Sequence, residues 1–169
     1  MGLPHRIDRP SSGIIILCKT SKSLTRMTKL FREKNVKKTY WIITNKKISN
    51  QQKTLIHFLK KNKRINKSFV KEKEEKGYLK SELSYKLIKE KKTNYLYEIN
   101  LLTGRHHQIR AQLSFIGVSI KGDVKYGSIE ANKDRSICLH ARKIEFTHPI
   151  KTIKVCITAP IPKSTHWII

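Results

Sequence analysis

The sequence predicts an α+β domain built on a mixed, mainly antiparallel sheet with flanking helices. Three observations predict it. Segments with strand-like alternation outnumber segments with helical periodicity. Where the connecting turn is visible, neighbouring strand segments read as antiparallel partners. The length, 169 residues, suits one domain with a modest core.

Taken in order, Gly13 to Lys19 is a short apolar run and predicts a buried strand. Ser21 to Lys34 predicts a helix capped by Ser21 or Ser23, with Leu24, Met27, Leu30 and Phe31 on one face. Val36 to Thr44 is β-branched and aromatic and predicts a strand. Alternation there sets Tyr40 and Ile42 on one face, Trp41 and Ile43 on the other. Lys46 to Lys76 is the most polar stretch, with one apolar cluster at Leu55, Ile56, Phe58 and Leu59. It predicts a loop, a short helical or strand segment at that cluster, and a mobile basic stretch. Tyr78 to Lys89 and Asn94 to Leu102 predict an antiparallel pair joined around Glu90-Lys91-Lys92-Thr93. Arg105 to Phe115 predicts a helix with Ile109, Leu113 and Ile116 inward. Ser136 to Phe146 and Thr152 to Thr158 predict two further strands around a turn at His148-Pro149.

Composition narrows the function. No apolar run approaches the roughly 18 residues that a membrane span needs, and the N-terminus has no signal-peptide core; the chain reads as cytoplasmic, without a membrane partner. Cys18, Cys138 and Cys156 are odd in number and widely spaced, so they predict neither a disulfide framework nor a metal site but small core residues. The net charge is +25, which fits a polyanionic partner such as RNA. It is permissive evidence only. With 28 lysines to 9 arginines and 23 isoleucines to 4 alanines, AT-rich codon drift accounts for much of it. The lysines from Lys46 to Lys76 are consistent with phosphate contacts and equally with a solvated loop.

Two segments carry the chemistry. His5-Arg6-Ile7-Asp8-Arg9-Pro10-Ser11-Ser12-Gly13 sets a carboxylate in a tight turn between arginines. Thr103-Gly104-Arg105-His106-His107-Gln108-Ile109-Arg110 sets an arginine at a glycine turn ahead of a helix. Asp8 is one of only three aspartates. From the residue alone, capping a turn or pairing with Arg9 explains it better than catalysis does. His5, His106 and His107 lack partners at metal-ligand spacing, and the few carboxylates exclude a two-metal nuclease. No metal and no cofactor is expected.

Together the two segments resemble the RluA-type family of RNA pseudouridine synthases, whose pattern is H-R-L-D-x-x-[ST]-S-G followed by T-G-R-x-H-Q-I-R. Ile120 to Gly127 and Leu139 to Pro149 also fit it, so four ordered motifs span Pro4 to Pro149. The resemblance implies a bent mixed sheet with the active-site cleft across its middle. It implies isomerisation of uridine to pseudouridine in flipped-out RNA, with Asp8 as nucleophile, Arg105 as its ionic partner and Tyr40, in Lys38-Thr39-Tyr40, as the base-stacking platform. Arg6 would enter the RNA stack. His5, Arg9, Lys38, His107 and Arg110 complete the expected RNA-binding set, and Asp123 reads as structural. Whether Asp8 attacks base or sugar stays open.

The Arg9-Pro10 pair is similar to tRNA-modifying members; rRNA and tRNA both remain. Residues 1–169 read as one catalytic domain, short at its N-terminus, lacking the strands that usually precede the first motif and the optional S4-like domain. A monomer is expected. The alternative is a non-catalytic RNA-binding or ribosome-associated relic of such an enzyme.

Overall fold

The computed structural model describes residues 1–168. In chain order its strands are β1 (Ser12–Gly13), β2 (Val36–Thr44), β3 (Gln52–Asn62), β4 (Lys67–Lys71), β5 (Leu79–Lys91), β6 (Asn94–Leu101), β7 (Leu139–Thr147) and β8 (Lys154–Thr158). The helices are α1 (Ser21–Arg32) and α2 (Gln108–Phe115). All eight strands form one sheet, ordered β1-β7-β2-β6-β5-β3-β4, with β8 also paired to β7. The pairings are antiparallel except for β1 with β7. The mixed, mainly antiparallel α+β class read from the sequence is the observed one.

Alternation explains the layers. Ile42, Leu83, Tyr97 and Ile99 share one face of the central strands and are fully buried with Leu113 of α2. Tyr97 also holds the chain beyond β2, because its hydroxyl accepts from Ile48 N–H at 2.8 Å. Tyr40, opposite Ile99, looks to the same side. Trp41 looks to the other, where its indole donates to Glu98 at 3.3 Å.

Five local expectations need correction. Cys156 on β8 is exposed, whereas Cys18 and Cys138 are buried as expected. The run from Gly13 to Lys19 is not a strand. β1 pairs with β7 for two residues only, and Ile15 and Leu17 stand exposed. Gly13 has φ +118°, and a Cβ there would lie 2.4 Å from Ala141 O, so the chain touches β7 and turns away. α1 is capped by Thr20, not by Ser21 or Ser23: Thr20 accepts from Ser23 N–H while Ser23 Oγ accepts from Thr20 N–H.

The basic stretch from Lys46 to Lys76 is mostly a hairpin rather than a mobile loop. Its low local β-propensity is overridden by continuous pairing of β3 with β5, from Gln52↔Lys86 to Leu59↔Leu79. Finally, α2 begins at Gln108, because His107 sits in the left-handed region with φ 51°. Arg105 therefore precedes the helix instead of occupying its first turn.

Candidate active site

The segment from Pro4 to Ser11 is pinned at several points. His5 Nε2 accepts from Ile16 N–H at 3.0 Å, and its ring stacks on Phe31 of α1 at 4.7 Å. Ser11 N–H donates to Asp8 O at 2.9 Å, closing the turn over Arg9-Pro10. Ile137 N–H donates to Pro10 O at 2.9 Å. These contacts aim the Asp8 carboxylate into a cleft of about 500 Å³. Arg6, Arg32, Lys34, Lys38, Tyr40 and Arg105 line the same cleft, and Asp8 is its one carboxylate among the described residues.

The arginine on Asp8 is Arg110. Its Nη1 lies 3.3 Å from Asp8 Oδ2, while its Nε and Nη2 donate to Asp123 Oδ2 and Oδ1 at 2.7 and 2.8 Å. Arg110 is buried, so it is not the RNA-contacting surface residue the sequence suggested. Arg105 is not the ionic partner of Asp8. It lies five positions earlier on the exposed turn, where its Nε donates to Lys80 O at 3.2 Å.

Asp123, read from sequence as structural, is thus bonded directly to the arginine that meets Asp8. A usable signal was its scarcity: two of the three aspartates converge on one guanidinium.

Burial raises the pKa of Asp8; the charge and hydrogen bond of Arg110 oppose that rise, and Asp123 adds to it. Tyr40 is pushed up to about 12 by burial and by the charge of Asp8, so it is a neutral phenol at working pH. Lys38 is lowered by burial. Its Nζ lies 3.4 Å from where a Cβ on Gly104 would stand, so glycine there keeps the turn clear of the ammonium. Arg6 and Arg105 are exposed at the mouth. Arg9, also exposed, lies outside the cleft lining. His107 lines it, and its Nδ1 is 3.0 Å from the Tyr126 hydroxyl. The rings of His106 and His107 stack at 3.7 Å rather than diverging as they would on a helix.

The family of RNA pseudouridylate synthases matches residues 1–115. The chain belongs to this family. It is 35% identical to the ribosomal large subunit pseudouridine synthase C of Buchnera aphidicola subsp. Baizongia pistaciae, over 95% of this chain and 53% of that protein. It is 31% identical to the synthase of the same name from Vibrio vulnificus, over 99% and 54%. The chain spans about half the length of these curated relatives. The solved structure of human RNA pseudouridylate synthase domain containing 1 superposes with TM-score 0.79 at 22% identity, over 95% of this chain and 69% of that one. The pseudouridine synthase fold and the family that the two motif segments resembled are those observed.

Within this family fold, a buried amide sets the turn that carries Arg105. Gln108 Oε1 accepts from Thr103 Oγ1 at 2.8 Å and from Arg105 N–H at 2.9 Å. Its Nε2 donates to Glu82 O at 3.1 Å and Gln112 Oε1 at 3.0 Å. Gln108→Leu keeps the volume and strands these partners, so it should cost about 2–3 kcal/mol, read as a lowered Tm.

The stacked histidines predict an acid sensitivity. Burial, then the nearby cations, lower His106 to about 4 and His107 to about 3. The unfolded imidazoles titrate near 6.5. Below that pH the unfolded chain binds more protons, so stability falls as pH drops from about 6.5 toward about 4. His106→Gln should narrow the difference between the Tm at neutral pH and the Tm in that acid window.

Proposed function

We propose that this chain isomerises uridine to pseudouridine in RNA, with Asp8 as the nucleophile. The observation that carries the reading is a single carboxylate facing into a cleft whose other charged lining residues are cations, with a neutral tyrosine on its wall. In the reaction the N1–C1′ bond breaks, C1′ joins C5, the C5 hydrogen leaves as a proton and N1 gains one. No electrons leave the nucleotide, so its balance needs no cofactor. Asp8 attacks an electrophilic carbon and is later expelled. Arg110 keeps a carboxylate ionised where burial alone would favour its neutral form. Tyr40, at the cleft wall on β2, offers a stacking face to the flipped base, and Arg6 stands at the mouth to fill the vacated stack. The curated relatives are named for the large ribosomal subunit, which favours rRNA over tRNA as substrate.

The test is release of tritium from C5-labelled uridine in bulk rRNA and tRNA. Release from rRNA supports the reading. A folded protein that binds RNA and releases none is the non-catalytic alternative.

The β3–β4 hairpin extends the basic surface beyond the cleft. Lys61 and Lys67 lie on its strands and Lys63 in its turn. If they contact phosphates, changing them to Gln should lower the slope of log affinity against log salt by about 1 per lost contact. An unchanged slope assigns these lysines to solvent.

A further inference from the structure

Arg110 carries more negative charge around it than neutralisation requires. One carboxylate balances one guanidinium, and Asp8 is already within 3.3 Å. Asp123 nevertheless takes both donors along one edge of the same group, at 2.7 and 2.8 Å. The two bonds are not equal in kind. The Asp123 side chain is 1% exposed and that of Arg110 5%, whereas Asp8 is 23% exposed and its bond is longer.

The turn holding Asp123 is built for this pose. A Cβ on Gly122 would meet Asn132 Nδ2 at 2.5 Å and Ser136 O at 2.7 Å, so the loop packs without room to shift. The Asp123 backbone carbonyl accepts from the N–H groups of Tyr126 and Ser128, each at 3.0 Å. The Tyr126 ring then lies 4.9 Å under the guanidinium.

We propose that Asp123 is a positioning residue which claims Arg110 for itself, leaves Asp8 loosely held, and so sets the pH range over which Asp8 is available as a nucleophile. The proposal rests on the reading of Asp8 as that nucleophile. The groups facing Asp8 are Arg6 from its own segment, Tyr40 from β2, Arg110 from α2 and Asp123 from the turn. Tyr40 is neutral at working pH, so the balance lies between two cations and one anion. Removing the charge of Asp123 leaves Arg110 wholly to Asp8. The carboxylate then ionises at lower pH and is held more tightly, hence is a poorer nucleophile.

The experiment is single-turnover tritium release at saturating enzyme across pH, for wild type and Asp123→Asn. The variant should move the acid limb down by about one pH unit, lower the plateau rate and leave RNA affinity unchanged. A limb that superimposes on the wild-type one assigns Asp123 a purely structural role and overturns the proposal. A second measurement needs no variant: ¹³C NMR titration of the aspartate carboxyls in the wild-type chain. Asp8 should titrate above an ordinary aspartate. An Asp8 that titrates at or below the ordinary value also overturns it. If wild type releases no tritium, the nucleophile reading fails, and the titration still judges the coupling of the two carboxylates.

Discussion

Asp8→Asn should lower tritium release at least about a thousandfold, the scale on which loss of a covalent nucleophile acts. The substitution is nearly isosteric. The amide cannot supply the anionic oxygen that attacks and is then expelled. Folding should survive, because Arg110 keeps its bidentate partner Asp123. RNA affinity should stay within about tenfold, since phosphate contacts dominate binding and the removed charge is negative. The check is the wild-type assay run beside the variant, with RNA binding measured on the same preparations. Equal release from both would remove Asp8 from the mechanism.

Arg110→Met acts on stability instead. It leaves the Asp123 carboxylate buried without its guanidinium, and Asp8 with no opposing charge inside the fold but Arg6 at the mouth. Breaking a buried pair by removing one partner costs about 3–5 kcal/mol. In a chain of this size that lowers Tm by about 6–20 °C. Arg110 is also raised in pKa: burial pulls it down, and the hydrogen bond and charge of Asp123, then Asp8, outweigh that pull. A thermal melt in neutral buffer reads the outcome. A Tm within 2–3 °C of wild type, about 1 kcal/mol, would mean that water or another cation compensates the two carboxylates. The companion variant Arg105→Gln should leave Tm nearly unchanged, because its side chain is exposed and makes one backbone contact.

The two arginines show where sequence reasoning stops. Thr103-Gly104-Arg105 reads as a turn presenting an arginine, and the observed segment is such a turn, lining the cleft. The periodicity predicts a helix from Arg105, which would place that residue in its first turn. Instead His107 takes a left-handed φ and the helix begins at Gln108. Arg110 then lies in the buried first turn, pointing at a carboxylate 102 positions away in sequence. No local pattern encodes that distance. The β3–β4 hairpin is a second case. Lysine-rich residues have weak strand preference; pairing of β3 with β5, and of β4 with β3, makes them strands.

The sequence by itself determined what depends on neighbours along the chain. It set the alternation that puts Tyr40 and Ile42 on one face, the amphipathic α1, the tight turn at Asp8, and the four motifs that carry the family resemblance. Tertiary packing alone decided which arginine meets Asp8 and what Asp123 does. A guanidinium can be buried only where carboxylates offset its lost hydration, and that requirement is met where α2, the Asp8 segment and the Asp123 turn converge in space.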